Sequence, residues 1–414
     1  MGFKTYTCPI ARSCGGCEWL AVPYAIQLRR KRESVERLFA DILPDDPRLP
    51  HGPHADGTLP RIPMLGMDES SGIPGLEPVG YRHKAASPYT PGANGSVRCG
   101  FYARGTHTIV PCSSCLVEDP RCRQVLNAVA RAAEEFRIPA YDEDRGRGLL
   151  RHAIVRAGWA TDDLLLTIVT NGEKVSHGRE FVDRVRALAP SVTAVAQNVN
   201  QRRTNAMLGH DSMALVGGGI MHDELLGVSF EIGPTSFYQT NPFQTERLYA
   251  CALDAAGLSS DGVRGVRLLD AYCGIGTIGL AAAHRVPGLK VVGVENVEGA
   301  VACARKNAAE NGLADRCRFV HADATAYMRD ARAGHEHFDV IVLDPPRAGS
   351  TTSFLEGASA LAPERIVYVS CNPETQRRDC DVLLKLGWHL DALTCVDMFP
   401  HTSHVETVAA LSRA

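Results

Sequence analysis

The chain lacks any long apolar segment. No run of hydrophobic residues approaches the roughly 20 residues that a membrane-spanning helix needs, and residues 1–14 contain no apolar core of the kind found in secretory signal peptides. These absences predict a cytoplasmic protein with no membrane partner. With 414 residues, the chain is long for one hydrophobic core, so we expect two or more domains. Nothing in the sequence predicts an obligate protein partner, and we expect a monomer.

The chain also lacks an excess of positive charge. Its formal net charge is −3, so a nucleic-acid partner would have to bind a local basic patch. Two basic clusters are present, and their spacing alone is typical of solvated surface as well as of RNA-binding surface. They are Arg29, Arg30, Lys31 and Arg32, and Arg145, Arg147, Arg151 and Arg156.

Cysteine, in contrast, is abundant. The chain has 14 cysteines and no export signal, and clustered cysteines in a cytosolic protein indicate metal binding or catalysis rather than disulfides. Cys8, Cys14 and Cys17 form such a cluster. Isolated cysteines in apolar surroundings, such as Cys251 and Cys395, are expected to be small core residues.

Patterning along the chain predicts two regions. Residues 41–79 contain eight prolines, which exclude a helix or a central strand there and indicate a long irregular loop or insertion. Short strands and helices elsewhere in residues 1–235 predict a compact α+β unit. From residue 236 to 414 strands and helices alternate, which is typical of an α/β, doubly wound and mostly parallel sheet of Rossmann type.

The element boundaries follow from the apolar periodicity. In the first region we predict helices at 24–39, 121–137 and 178–188, a strand pair within 97–110, and strands at 151–157, 163–170, 193–199 and 226–232. In the second we predict helices at 277–285, 298–311 and 374–386, and strands at 266–271, 290–295, 317–321, 338–343, 365–370, 390–398 and 404–411.

A glycine-rich loop joins the first strand of the second region to its helix. Gly274, Gly276 and Gly279 allow a tight turn ahead of a helix N-terminus, and Glu295 ends the next strand, where a carboxylate can accept hydrogen bonds from ribose hydroxyls. The glycines also fit the dinucleotide fingerprint, so NAD is an alternative ligand. Asp270, placed just before the loop, favours S-adenosylmethionine, and so do the motifs that follow.

Two later strands end in residues suited to methyl transfer to a pyrimidine. One ends in Asp344-Pro345-Pro346-Arg347, and the next in Cys371-Asn372-Pro373. A thiolate that attacks C6 of uracil makes C5 nucleophilic enough to accept a methyl group from a sulfonium, and a base must then remove the C5 proton. Glu406, in the last strand, is a candidate base. Amino-group methyltransferases carry a similar acid-Pro-Pro run, but an aromatic residue usually follows it.

These motifs together resemble the bacterial uracil-5 methyltransferases of rRNA and tRNA, and the resemblance extends from Cys8 to the final strand. The segments that carry it are Cys8-x5-Cys14-Gly-Gly-Cys17, Gly80-Tyr81-Arg82-His83-Lys84, Gly100-Phe101-Tyr102, Ser236-Phe237-Tyr238-Gln239-Thr240-Asn241, Asp270-Ala271-Tyr272-Cys273-Gly274, Asp344-Pro345-Pro346-Arg347, Ser370-Cys371-Asn372-Pro373 and His404-Val405-Glu406.

The resemblance implies an S-adenosylmethionine-dependent enzyme in which Cys371 is the nucleophile and Glu406 the base. Asp344 and Gln239 would read the edge of a uracil that is flipped out of its stack. The residues implied around cofactor and target base are Gln239, Tyr272, Gly274, Gly276, Glu295, Asp323 and Asp344.

The resemblance also implies a [4Fe–4S] cluster, which needs four thiolates. Cys8, Cys14 and Cys17 would supply three of them. The spacing before Pro120 favours Cys115 as the fourth ligand, with Cys112 as the alternative, and a structural zinc site built from the same cysteines is a second possibility.

The cysteine segment favours the rRNA branch of the family, so we expect 23S rRNA as the substrate. The same chemistry on tRNA is the alternative, and an RNA-binding iron–sulfur protein without catalysis is a further one.

Overall fold

The computed structural model of the chain describes residues 4–43, 62–68, 71–204, 206–258 and 265–413. Most of the predicted proline-rich loop, 44–61 and 69–70, lies outside the described residues. Within the rest of that stretch, Met64–Leu65 forms a short strand, which the proline density did not predict. No described helix is long and apolar enough to cross a membrane.

The elements of the first region include four strands that were not predicted, at 64–65, 84–91, 212–216 and 221–225, and otherwise agree with the predicted ones to within a few residues. In chain order they are α1 (Tyr24–Phe39), β1 (Met64–Leu65), β2 (Lys84–Pro91), β3 (Val97–Tyr102), β4 (Ile109–Pro111), α2 (Pro120–Glu135), β5 (Leu150–Ala157), β6 (Leu164–Thr170), α3 (Gly178–Leu188), β7 (Ala194–Val199), β8 (Ser212–Val216), β9 (Met221–Leu225) and β10 (Val228–Ile232).

Seven of these strands form one sheet, in the order β4-β3-β2-β5-β6-β7-β8. Its central strands β5 and β6 are buried along their whole length, since α2 and α3 pack on the sheet through a shared apolar core. The helix α2 begins sharply, because Pro120 occupies the first turn and the Asp119 carboxylate accepts a hydrogen bond from Arg121 N at 2.8 Å.

The second region alternates strands and helices, as predicted. Its elements are α4 (Pro242–Ala255), β11 (Arg267–Ala271), α5 (Thr277–Arg285), β12 (Lys290–Glu295), α6 (Glu298–Glu310), β13 (Cys317–His321), α7 (Ala324–Ala333), β14 (Val340–Leu343), α8 (Thr352–Ala360), β15 (Arg365–Ser370), α9 (Pro373–Lys385), β16 (Trp388–Val396) and β17 (Glu406–Arg413).

These strands build a sheet in the order β1-β16-β17-β15-β14-β11-β12-β13. All neighbours are parallel except β17, which runs antiparallel to both β15 and β16. The α/β fold is therefore confirmed. Helices α7 and α8 were not predicted.

Part of the first region belongs to the core of this second sheet. Strand β1 pairs in parallel with β16. The apolar stripe of α1 places Val35 and Phe39 in one buried cluster with Leu383 and Trp388. Two segments from opposite ends of the chain thus share a core, and the division of the chain at residue 236 stays a prediction.

Candidate functional site

The strand register brings the two predicted catalytic side chains together. Ser370, at the end of β15, pairs with Thr407 at the start of the antiparallel β17. Cys371 directly follows Ser370, and Glu406 directly precedes Thr407. The two side chains therefore lie at the same edge of the sheet. This is also the edge at which the parallel strands β11, β12 and β14 end, where ligands of doubly wound sheets bind.

The glycine-rich loop has the backbone that its sequence predicts. Gly274 and Gly276 have φ values of 55° and 86°, which glycine adopts without strain. A Cβ at Gly276 would lie 2.8 Å from a ring carbon of Phe319, and one at Gly279 would lie 2.9 Å from Asp270 Oδ2. The loop therefore lies tightly against the strand ends, with the N-terminus of α5 behind it.

Asp270 has one carboxylate oxygen free for a ligand. Its Oδ2 accepts a hydrogen bond from Gly279 N at 2.8 Å, whereas its buried Oδ1 has no hydrogen-bond partner among the described residues. Burial raises the pKa of this carboxyl to about 7. A buried polar atom without a partner is costly, so the loop fits a ligand that donates a hydrogen bond or carries positive charge at this point.

The other predicted cofactor residues line the same edge. The Glu295 carboxylate accepts hydrogen bonds from Gly274 N at 3.1 Å and from Val297 N at 2.9 Å, which orient it beside the loop. Asp323 caps α7 through Ala326 N at 2.9 Å. Tyr272 has a φ of 63°, a left-handed conformation that is uncommon outside glycine.

The hydroxyl of Tyr272 lies 3.3 Å from Ser350 Oγ, and its ring lies 5.3 Å from that of Phe354. Burial raises its pKa, and the nearby carboxylate of Asp323 adds to this rise. Tyr272 and Asp323 therefore face the same space beside the loop.

Cys371, Glu406 and Asp344 form one electrostatic cluster. Burial, together with the charge of Asp344, raises the pKa of Glu406 to about 8, and burial raises the pKa of Asp344 to about 7. The pKa of Cys371 rises to about 11, mainly through burial and then through the carboxylates of Glu406 and Asp344, while Arg347 opposes the rise. Ionising any one of the three groups therefore hinders ionisation of the others.

The segment around Gln239 is fixed on both sides of this residue. Arg156 Nη2 donates a hydrogen bond to Ser236 O. Asn241 caps α4 by accepting from Gln244 N at 3.2 Å, and its amide donates to Met398 O at 3.0 Å. The Gln239 amide makes no hydrogen bond to a described residue and can serve a ligand.

Three residues of the site were not singled out from the sequence. Phe237 has 66% of its surface exposed, next to the Gln239 segment. The pKa of Tyr249 is raised by burial and then by Asp344, Asp270 and Glu406, so this side chain lies among the three carboxyls. The Arg347 guanidinium lies 3.4 Å from His404 Nδ1. Tyr249 lies on the buried face of α4 together with the polar Gln244 and Thr245, and no local sequence pattern distinguishes it.

The N-terminal cysteines lie in the wall of a separate cavity that also contains Cys112 and Cys115. Burial raises the pKa of Cys17 to about 12, and the thiols of Cys115, Cys14 and Cys8 add to this rise. Cys112 instead donates to Ser114 O at 3.1 Å. Among the described residues, no group of three or more His, Cys, Asp or Glu side chains is placed to hold a metal ion.

Comparisons with known proteins agree with this geometry. Residues 227–414 match the family tRNA (Uracil-5-)-methyltransferase. An uncharacterized RNA methyltransferase of Staphylococcus aureus (strain MSSA476) is 36% identical over 402 residues, which cover 97% of this chain and 83% of that protein. One from Halalkalibacterium halodurans is 36% identical over 407 residues, which cover 98% of this chain and 82% of that protein.

A solved structure is similar along almost the whole chain. It is that of the Pyrococcus abyssi tRNA (uracil-54, C5)-methyltransferase in complex with S-adenosyl-L-homocysteine, with a TM-score of 0.74, 25% identity, and coverage of 98% of this chain and 87% of that one. Sequence and structure thus agree: the chain belongs to the RNA uracil-5-methyltransferase family and is an RNA methyltransferase.

Proposed function

We propose that the chain methylates C5 of a specific uridine in RNA, with Cys371 as nucleophile, Glu406 as base and S-adenosylmethionine as methyl donor. The observation that carries this proposal is the meeting of Cys371, Glu406 and Asp344 at one sheet edge, beside a glycine-rich loop with a free buried carboxylate oxygen. Hydride transfer to or from NAD would leave Cys371 without a role.

Each side chain has a distinct task. The Cys371 thiolate adds to C6 of the flipped uracil, and the electron pair of the C5–C6 bond moves toward O4, which makes C5 an enolate carbon. S-adenosylmethionine, when bound at the loop, supplies the methyl group that C5 accepts. Glu406 then takes the C5 proton, the Cys371–C6 bond breaks, and the thiolate leaves.

The raised pKa values of the two carboxyls suit these tasks. A carboxyl with a pKa of about 8, as at Glu406, is a stronger base than an ordinary glutamate when it is ionised. Asp344, with a pKa of about 7, can carry a proton near neutral pH and donate a hydrogen bond to a uracil oxygen, while the Gln239 amide can pair with the remaining polar edge. Entry of uracil also displaces water, so the cluster works in a dry site.

We further propose that Cys8, Cys14, Cys17 and Cys115 hold an iron–sulfur cluster. The influence of Cys115, Cys14 and Cys8 on the pKa of Cys17 supports this set of four. A structural zinc site built from the same cysteines is the alternative.

For the substrate we propose 23S rRNA, because the cysteine segment is shared with the rRNA branch that the sequence resembles. tRNA is a second candidate, since the solved structure that is similar along the whole chain is a tRNA (uracil-54, C5)-methyltransferase.

Incubation of the protein with S-adenosylmethionine and unmodified 23S rRNA or tRNA, followed by mass spectrometry of nuclease fragments, tests both candidates. The proposal predicts one methyl group on uracil C5 in 23S rRNA and none with Cys371→Ala. Methylation of tRNA alone would replace the substrate and keep the chemistry, whereas methylation that persists in Cys371→Ala would refute the mechanism.

A further inference from the structure

A cavity of about 730 Å³ lies beside the cysteine segment, against the seven-stranded sheet. Cys371, Glu406 and Asp344 are not among the described residues that line it, so it is separate from the catalytic edge. Ligand pockets of proteins are typically of this size. The proposed cluster at the cysteines would take part of this space, and the remaining lining has a chemistry of its own.

That remaining lining combines aromatic and cationic side chains: Lys84, Tyr102, Tyr141, Arg151, His152 and Arg203. Four of them, Tyr102, Tyr141, Arg151 and His152, also line a small adjoining cavity that no cysteine reaches. The aromatic and cationic part of the wall therefore extends away from the thiols.

Two buried side chains in this wall have polar atoms without partners. His152 has 7% of its surface exposed and Arg151 has 4%. His152 Nδ1 and Arg151 Nε make no hydrogen bond to a described residue, although Arg151 Nη1 donates to Asn200 O at 2.6 Å. Such unpaired buried atoms are costly in a closed protein interior and favour a polar ligand.

The four cationic side chains of the lining (Arg82, Lys84, Arg151 and Arg203) outnumber its three acidic ones (Glu118, Glu143 and Asp144) by one, which favours an anionic ligand. The Arg151 guanidinium lies 4.6 Å from the centre of the Tyr141 ring, which holds both in place as a platform. Glu143 is engaged by the Tyr102 hydroxyl and by His107. Lys84 forms no ion pair with a described residue, so its ammonium group is available to a phosphate.

The cavity is connected to the target-base segment by one pair of strands. Lys84 on β2 pairs in register with Arg156 on β5, and Arg156 Nη2 donates to Ser236 O, three residues before Gln239. Arg156 thus links the strand that carries Lys84 directly to the segment that carries Gln239.

We infer that this cavity binds an unstacked nucleotide that flanks the target uridine in the substrate RNA, with its base on the Tyr102 ring and its phosphate at Lys84. Single-stranded RNA is recognised in this way, by stacking on aromatic side chains beside a cationic path for the backbone. The inference rests on the proposed function for the identity of the target nucleotide, and the anchoring of a second nucleotide would fix which uridine reaches Cys371.

The test measures equilibrium binding, which does not require catalysis. The probe is the shortest 23S rRNA or tRNA fragment that the wild-type protein retains, together with versions shortened by one nucleotide at a time. Lys84→Gln and Tyr102→Leu are compared with Arg329→Gln, which removes an exposed positive charge from α7, away from the cavity lining. Circular dichroism and thermal unfolding check that each variant is folded.

We expect Lys84→Gln, which removes a phosphate contact, and Tyr102→Leu, which removes a stacking surface, each to weaken binding of the full probe by about 10-fold. An RNA that lacks the bound nucleotide should bind the wild-type protein more weakly to the same degree. The two variants should bind this shorter RNA as tightly as they bind the full probe. Arg329→Gln should bind as the wild type does.

Equal losses for every RNA length, or no loss at all, would overturn the inference. A second result would also overturn it. If free uridine monophosphate or adenosine monophosphate bound as tightly as the RNA fragment, and the same substitutions weakened that binding, the cavity would be a site for a free nucleotide. Failure of the proposed methylation would give a different result: binding would still depend on RNA length, but no 5-methyluridine would form.

Discussion

Replacing Glu406 with glutamine removes the proposed base while keeping its size and packing. The amide cannot take the C5 proton, so the reaction should stop after methylation, with the RNA still bound to Cys371. Loss of a general base lowers rates by about 10²- to 10⁴-fold, and we expect turnover to fall within this range. A denaturation-resistant complex should accumulate on ordinary uridine RNA.

The same substitution should change the chemistry of Cys371 in the free protein. The Glu406 carboxylate raises the pKa of this thiol, so Glu406→Gln should lower it. Alkylation of Cys371 by iodoacetamide, followed by peptide mass spectrometry across the pH range, measures the shift.

Stability supplies an independent check of the burial of Glu406. Its pKa in the folded protein is about 8, against an ordinary 4.5, so the folded state binds the proton more tightly than the unfolded state. The resulting stability is fully present below pH 4.5 and is lost as the pH rises through 8. The shift corresponds to about 5 kcal/mol as an upper limit. Glu406→Gln should therefore unfold at a higher temperature than the wild type at pH 9.

A Glu406→Gln variant with normal turnover and no trapped RNA would refute the assignment of the base. An unchanged pH dependence of Cys371 alkylation would instead show that the Glu406 carboxylate does not act on this thiol. Glu336→Gln, a substitution in a half-buried carboxylate that pairs with Arg267 away from the site, serves as the matched control and should show none of these effects.

Three further outcomes are expected. Cys115→Ser should abolish iron binding and the visible absorption of a reconstituted cluster, whereas Cys112→Ser should retain both; the reverse pattern would move the fourth ligand to Cys112. Gly276→Ala should weaken binding of S-adenosylmethionine by at least 10-fold in calorimetry, because a left-handed conformation and a Cβ at 2.8 Å from a ring carbon both oppose alanine; unchanged affinity would exclude a role of the loop in cofactor binding. Lys31→Met should destabilise the protein by about 3–5 kcal/mol in urea unfolding, since it leaves the Asp397 carboxylate buried without its cation, and a loss below about 1 kcal/mol would show that this pair is solvated.

The sequence predicted the local elements of the fold well where apolar periodicity was strong. Helices α1, α3 and α5 and strands β12, β13 and β15 have the predicted bounds. The apolar faces of these elements pack in the cores of the two sheets. Helices α7 and α8 were missed, because contacts with each other and with the sheet, rather than their own patterning, stabilise them.

Long-range contacts were beyond sequence reasoning. Nothing in the local pattern at Met64–Leu65 shows that it adds a strand to β16. Nor does the basic run around Lys31 show that this lysine is buried against Asp397 and Phe399 O. The sequence predicts surface charge for the whole basic run, whereas Lys31 forms a buried ion pair in the structure.

The sequence predicted which side chains meet at this sheet edge but not their electrostatics, and the chemistry assigned to them stays a prediction. Motif order placed Cys371 and Asp344 at the ends of neighbouring parallel strands, and the antiparallel register of β17 then brings Glu406 to the same edge. The raised pKa values follow from burial and from mutual charge, which depend on packing of the whole domain. The same holds for the place of Tyr249 among the carboxyls.

The most direct test of the account is a mechanism-based trap. The protein, purified without oxygen, is incubated with S-adenosylmethionine and 23S rRNA or tRNA in which 5-fluorouridine replaces uridine, because fluorine at C5 cannot leave as a proton. The account predicts a denaturation-stable RNA adduct whose peptide contains Cys371 and which is absent from Cys371→Ala. An adduct on another cysteine, or no adduct despite bound S-adenosylmethionine and RNA, would contradict it.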